Sequence, residues 1–372
     1  MCLLRKKTRQ ITIGNVKIGG GSPIVIQSMT NTNTKNINAT LEQIKALYAV
    51  GCQLVRVSIP DEESVECIKD IINESPIPII GDIHIDYKLA IKSIKAGIHA
   101  VRINPGNMDI IGLKKVVELA GEKNISIRIG LNTGSMKIIL PDRIDNMKKV
   151  KLISDALVDS AVHYCNKFSE YGYQNIKVSM KSTDVFTTIF AYRKFSDLID
   201  YPLHIGITEA GGFQSSMVKS SIGIGSLLVD GIGDTMRVSM TGDPLEEVKI
   251  SKLILESIGL LPGCPNIISC PTCSRNSIEL IKLFDLINKS IDSMKEKGIK
   301  FREFTIAIMG CLINGINETK KSDIGIMGLN GKYIFLKQGI KIGSFKNMRE
   351  VINVFNDSLK NFIISKTPNN LP

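Results

Sequence analysis

The sequence predicts an α/β protein in two parts: an N-terminal (β/α)8 TIM-type barrel and a smaller C-terminal α+β domain. Three observations carry this reading. Eight short β-branched runs alternate with stretches of helical period, the first run is not followed by a Gly-rich phosphate loop, and the pattern changes after Leu261-Pro262-Gly263. Eight such units within about 250 residues suit a closed barrel better than an open doubly wound sheet, which usually has fewer strands. The residues after the first run, Gln27-Ser28-Met29-Thr30-Asn31, match no nucleotide-binding fingerprint.

Taken in order, the barrel strands are expected near Ile24-Val25-Ile26, Leu54-Val55-Arg56-Val57, Ile77-Pro78-Ile79-Ile80 and Ala100-Val101-Arg102-Ile103. The remaining four are Ile125-Ser126-Ile127-Arg128-Ile129, Ile176-Lys177-Val178, Leu203-His204-Ile205-Gly206-Ile207 and Met236-Arg237-Val238. A strand-like Ile11-Thr12-Ile13 precedes them. The barrel is expected to span residues 1–262 and the second domain residues 263–372. The latter holds a cysteine cluster, a helical stretch from Asn276 to Lys297, and a Gly-punctuated run from Ile324 to Phe345 that reads as small antiparallel strands packed on helices.

With 43% hydrophobic and 22% charged residues, the 372-residue chain has the composition of a folded protein. Its net charge of +11 admits a nucleic acid, a membrane surface or an anionic substrate as partner, or a plain bias toward Lys, Ile and Asn. There is no compact basic run beyond Arg5 to Lys7, aromatics are 5% and Trp is absent, which argues against a base-stacking platform. Neither an apolar signal core nor 18 consecutive apolar residues is found, so a cytoplasmic protein with no membrane partner is expected. Eight cysteines are too sparse for a disulfide scaffold. Cys2, Cys52, Cys67 and Cys165 are scattered and read as free thiols or small core residues.

Four strands place an arginine between apolar residues: Arg56, Arg102, Arg128 and Arg237. Alternation sends the flanking residues to one side and the arginine to the other, so Val and Ile packed under helices aim each Arg into the barrel. Guanidinium groups cannot shed their charge, and several converging on one mouth call for a polyanion, with a phosphorylated ligand the natural choice. The competing reading is structural pairing with an inward carboxylate such as Asp82, Glu209 or Asp234. Asp82, His84, Asn104, Asn132, Lys181, Glu209 and Ser239 follow successive strands at the end where active sites of this fold lie.

Cys270-Pro271-Thr272-Cys273 is followed by Cys311 and, after it, Glu318. A structural zinc site is normally closed by four Cys or His, and the sequence has no His after His204, although Cys264 could complete a zinc set. Three thiolates fit a [4Fe-4S] cluster with one iron left to a displaceable oxygen donor such as Glu318.

The motifs Val25-Ile26-Gln27-Ser28-Met29-Thr30, Arg102-Ile103-Asn104-Pro105-Gly106-Asn107 and Pro202 through Gly211 carry a resemblance, joined by Gly231 through Ser239 and Cys270-Pro271-Thr272-Cys273-Ser274-Arg275. Over essentially its whole length the chain resembles the 4-hydroxy-3-methylbut-2-enyl diphosphate synthases of the methylerythritol phosphate pathway. The resemblance implies two-electron reduction and ring opening of 2-C-methyl-D-erythritol 2,4-cyclodiphosphate, with reduced flavodoxin or ferredoxin as donor. It also implies a homodimer whose site joins one subunit's barrel to the other's cluster. Arg56, Arg102, Arg128, Lys181, Arg237 and Ser239 then resemble the diphosphate cradle, and His84, Asn104 and Asn132 further substrate contacts. Cys270, Cys273, Cys311 and Glu318 resemble the cluster ligands, and Glu209 the proton donor.

Where the family usually reads Asn-Gly-Pro-Gly-Glu, this chain has Asn314-Gly315-Ile316-Asn317-Glu318. The expectation is a surviving turn in which Asn317 takes a left-handed conformation. Two rivals stand beside the reductase: a barrel synthase for a phosphorylated or pterin-like substrate with a merely structural cysteine domain, and a zinc-ribbon nucleic-acid-binding protein.

Overall fold

The computed structural model describes residues 5–136, 138, 144–261 and 263–366. It opens on an antiparallel hairpin of β1 (Ile11–Ile13) and β2 (Val16–Ile18). Next come β3 (Val25–Met29), α1 (Ile37–Ala49), β4 (Leu54–Ser58), α2 (Glu62–Glu74), β5 (Ile79–Ile83), α3 (Tyr87–Lys95), β6 (Ala100–Ile103) and α4 (Ile110–Glu122). The series ends with β7 (Ser126–Asn132), α5 (Asn146–Glu170), β8 (Ile176–Lys181), α6 (Val185–Leu198), β9 (His204–Ile205), α7 (Phe213–Val229), β10 (Thr235–Met236) and α8 (Pro244–Ser257).

Most of these helices start at an Asx residue whose side chain accepts an N–H from the first turn: Asn36, Asp61, Asp86, Asp109, Asp145, Asp184 and Asp243. Each satisfies donors that a helix start leaves open and so fixes where a βα loop ends. The eight parallel strands run in the order β8-β7-β6-β5-β4-β3-β10-β9. A parallel bridge between Val178 and Leu203 closes the ring. The expected barrel is therefore present, with β9 and β10 shorter than the sequence suggested; Arg237 lies just past the end of β10.

Pairing sets the arginines side by side. Met29 is the register partner of Arg56, Asp82 of Arg102, Arg102 of Arg128, and Arg128 of Lys177. At the opposite end, Ile11, Ile13 and Ile18 of the hairpin pack on Val25, Leu54, Ile80 and Ala100, forming an apolar plug.

The chain separates into two compact units after Ile258. Pro262, on which the expected boundary fell, lies outside the described residues, as does Cys2. The second unit contains β11 (Asn266–Ser269), α9 (Leu280–Glu296), β12 (Ile299–Phe301), β13 (Thr305–Met309), α10 (Leu312–Lys321), β14 (Ile324–Leu329), β15 (Lys332–Lys337), β16 (Ile340–Phe345), α11 (Met348–Leu359) and β17 (Ile363–Lys366). Its sheet runs β11-β13-β14-β15-β16, parallel through β14 and antiparallel beyond, while β12 pairs with β17. Leu283, Ile287, Ile306, Ile308, Val351 and Phe355 are among its core. The run from Ile324 to Phe345 is three strands, as expected. The helical stretch anticipated from Asn276 begins only at Leu280, because residues after Cys273 turn: Asn276 N–H donates to the Cys273 carbonyl. Among the described residues no helix is long and apolar enough to cross a membrane.

Candidate active site

In the barrel, alternating residues face opposite sides of each strand. Val55, Val57, Val101, Ile103, Ile127, Ile129 and Val238 are fully buried, while the arginines between them share one polar interior. A narrow cavity of about 80 Å³ is walled by Arg56, Arg128, Ser179, Lys181, Arg237 and Ser239. A wider one of about 440 Å³ is walled by Asn104, Thr133, Thr183 and Glu209. His84, Arg102, Asn132 and Thr208 line both, so the two are levels of one mouth. All the expected contacts from the barrel are thus brought together.

Ion pairing also occurs, but it does not balance the charge. Asp82 lies 3.7 Å from Arg56 Nε and 3.4 Å from Arg102 Nη1. Its Oδ2 is 3.1 Å from His84 Nε2. Burial alone would push the Asp82 carboxyl up, yet Arg56, His84 and Arg102 together hold it well below the usual carboxylate range. Of the other two carboxylates considered, Asp234 faces Arg5 at 2.9 Å, and Glu209 stands exposed on the wider cavity. Among the described residues no ion pair joins Arg128 or Lys181 to a carboxylate.

The surplus positive charge is visible in the basic groups themselves. Burial, with Asp82 opposing it, leaves Arg56 lowered to about 10. Burial and then Arg128 and Arg237 push Lys181 well below the usual lysine range. Burial also pushes Arg128 down, and its Nε is buried without a hydrogen-bond partner. An arrangement of this kind is relieved by a bound anion with several charged oxygens.

Glu209 has φ 51°, in the left-handed region that a side chain of this size seldom adopts. Such a conformation persists where the surroundings demand it and recurs at functional sites. His204, fully buried, lies 3.3 Å from Lys181 Nζ through Nε2 and 2.8 Å from Thr235 Oγ1 through Nδ1.

Three residues escaped the sequence reading. Glu247 on α8 is buried and accepts from both Nε and Nη2 of Arg237 at 3.0 Å. No sequence signal marks it: only when α8 is packed does its carboxylate join Ser251 and Ile254 on one buried helix face. Lys177 points inward beside Arg128, its Nζ buried without a hydrogen-bond partner. Met29 receives Arg56 Nη2 on its sulfur at 2.9 Å.

In the second unit, Cys270 follows β11, and Cys311 follows the adjacent parallel β13, so both thiols stand at neighbouring strand ends. The Gly310 N–H donates to Cys270 Sγ at 3.2 Å, which ties the strand end of Cys311 to that of Cys270. Cys273 is exposed. Among the described residues no three His, Cys, Asp or Glu side chains converge closely enough for one ion. Thiolates that each bind a different iron of a cluster need not converge so tightly. By donor chemistry the set fits such a group, and two of its thiols, Cys270 and Cys311, stand at neighbouring strand ends.

The expected turn before Glu318 is absent. Cys311 caps α10, and Leu312–Lys321 is helical, so Ile316 and Asn317 sit inside a right-handed helix. Unlike proline, Ile316 keeps an N–H for that helix. Glu318 lies on α10, about two turns along the chain from the capping Cys311. Buried Gly315 lets the helix rest on the sheet: a Cβ there would meet Met327 at 3.2 Å and Met309 at 3.3 Å.

Cys52 and Cys165 are pushed up to about 12 by burial and are core thiols.

Comparison with known sequences decides the family. The GcpE TIM-barrel domain matches residues 8–252, and the GcpE protein C-terminal domain matches residues 266–361. The chain belongs to the GcpE family. Among curated relatives, 4-hydroxy-3-methylbut-2-en-1-yl diphosphate synthase (flavodoxin) of Lawsonia intracellularis is 44% identical over 97% of this GcpE chain and 98% of its own. The protein of the same name from Caldanaerobacter subterraneus subsp. tengcongensis is 46% identical over 91% of this chain and 93% of its own. Among solved structures, a Xanthomonas albilineans dihydropteroate synthase aligns at TM-score 0.48 and 9% identity over 69% of this GcpE chain and 100% of its own, too loosely to bear on function.

Proposed function

We infer that the chain reductively opens 2-C-methyl-D-erythritol 2,4-cyclodiphosphate to 4-hydroxy-3-methylbut-2-enyl diphosphate, in isoprenoid precursor synthesis, with reduced flavodoxin or ferredoxin as electron donor. The observation that carries it is the convergence of Arg56, Arg102, Arg128, Lys181 and Arg237 on one mouth that Asp82 and Glu247 only partly neutralise. Relatives named for this product and for flavodoxin support the same reading.

In this scheme Arg56, Arg102, Arg128, Lys181, Arg237 and Ser239 hold the diphosphate, and His84, Asn104 and Asn132 orient the carbon skeleton. Glu209, on the wall of the wider cavity, gives a proton to the departing hydroxyl, which leaves as water while two electrons enter and the ring carbon–oxygen bond breaks. Cys270, Cys273 and Cys311 would hold a [4Fe-4S] cluster, with Glu318 on the remaining iron. Such a cluster, when bound, supplies single electrons and a Lewis-acidic iron. The working assembly is a homodimer in the cytoplasm. The barrel and the cluster unit then divide the labour between substrate and electrons, and no observation favours a zinc ribbon.

Protein purified without air should contain about four irons and four sulfides per chain. It should convert the cyclic diphosphate when supplied with reduced flavodoxin. Stoichiometric zinc without sulfide, or no turnover by fully loaded protein, would refute the assignment.

A further inference from the structure

We propose that Glu247 is a positioning residue for the anion site, acting through Arg237 and the segment that carries Ser239. The inference rests on the diphosphate reading of the mouth. Glu247 belongs to α8, outside the ring of strands, yet the residue is only 3% exposed. Its two oxygens take four hydrogen bonds. Oε2 accepts from Arg237 Nε at 3.0 Å and from Ser28 Oγ at 3.0 Å. Oε1 accepts from Arg237 Nη2 at 3.0 Å and from the Met240 N–H at 3.2 Å.

Three consequences follow from this geometry. The fork–fork pair fixes the plane and roll of the Arg237 guanidinium, which a single contact would leave free to swing. The bond to Met240 ties down the backbone next to Ser239, whose carbonyl also accepts from Ser216 Oγ at 2.8 Å. Ser28 anchors the carboxylate to β3, so β3, β10 and α8 are held at one point. The remaining guanidinium nitrogen, Nη1, is left to the mouth, with the Met29 sulfur 3.6 Å away.

A carboxylate beside a guanidinium has two opposed effects on an anion bound nearby. As a counter-charge it repels the anion, and removing the charge should tighten binding. As a positioner it pre-organises a donor, and removing it should loosen binding. The two roles therefore predict opposite signs for one variant.

The test is calorimetric titration of the full-length, anaerobically purified protein with inorganic pyrophosphate at fixed ionic strength. For Glu247→Gln we expect about tenfold weaker binding, the size of effect typical of charge-assisted hydrogen bonds, with unchanged iron content. In an Arg237→Met background the same substitution should cost clearly less than it does alone, the remainder being its hold on the Met240 backbone. Tighter or unchanged binding by Glu247→Gln would overturn the proposal, as would full additivity of the two changes. Should Glu247→Gln not fold, Glu247→Asp decides: it keeps the charge but withdraws the carboxylate by one methylene, so weaker binding supports positioning and wild-type binding refutes it. Wild-type protein that binds no pyrophosphate would bring down the diphosphate reading and this proposal with it. Wild-type binding that Glu247→Gln leaves intact brings down this proposal alone.

Discussion

Arg102 lies against the backbone of Gly130 on the next strand, donating from Nη2 to the Gly130 carbonyl at 3.2 Å. A Cβ on Gly130 would overlap Arg102 Nε and stand 3.0 Å from its Cζ and Nη2, so the guanidinium has to shift. Gly130→Ala should therefore move Arg102 without unfolding the barrel. We expect anion affinity to fall by about tenfold, equivalent to about 1.4 kcal/mol, with far-ultraviolet circular dichroism unchanged. Pyrophosphate titration checks it, and wild-type affinity would show that Arg102 is not a ligand contact.

Asp82 should control the acid stability of the mouth. Its folded pKa is depressed, so its contribution is present in full above its unfolded value of about 3.9 and is lost as pH falls from there toward the folded value. Asp82→Asn leaves Arg56 and Arg102 without their shared partner, a loss of about 3–5 kcal/mol for a broken buried pair. The difference in stability between wild type and variant should stay constant from pH 5 to 8 and shrink below about pH 4. Urea unfolding across that range measures it.

Much of the barrel was legible because its signals are local. A period of two placed Arg56, Arg102 and Arg128 on the inner side, and neighbouring strand ends gave Asn104, Asn132 and Lys181. What escaped depends on packing that no local pattern encodes. Glu247 reads as an ordinary acidic residue in the first turn of a helix until α8 is laid against β3 and β10. The strand Ile11–Ile13 was visible, but nothing in three residues tells that it covers the barrel floor. In the second unit, Asn317 suggested a turn by residue type. There tertiary contact prevailed, since the small Gly315 allows a helix to lie on Met309 and Met327.

The plug offers a stability test independent of the chemistry. Ile18 is fully buried between the hairpin and the barrel floor. Ile18→Ala removes apolar area and leaves a cavity, which should cost about 2–5 kcal/mol. Denaturant unfolding should show this loss, while pyrophosphate affinity stays within twofold of wild type, about 0.4 kcal/mol. A large loss of affinity would mean that the floor shapes the mouth after all.

Substitutions that separate the two units give the sharpest check on the division of labour. Arg237→Ala should weaken pyrophosphate binding by about tenfold or more. It also leaves the Glu247 carboxylate buried without its main partner, so stability should drop by about 3–5 kcal/mol. Iron content should not change, because Arg237 belongs to the barrel unit. Cys311→Ser should do the reverse: iron and visible absorbance fall, while pyrophosphate binding persists. Iron analysis and calorimetry on the same preparations read both. If Arg237→Ala emptied the protein of iron, or Cys311→Ser abolished anion binding, the arginine mouth and the cysteine set could not be assigned separate tasks, and each would have to be treated as part of a single jointly folded site.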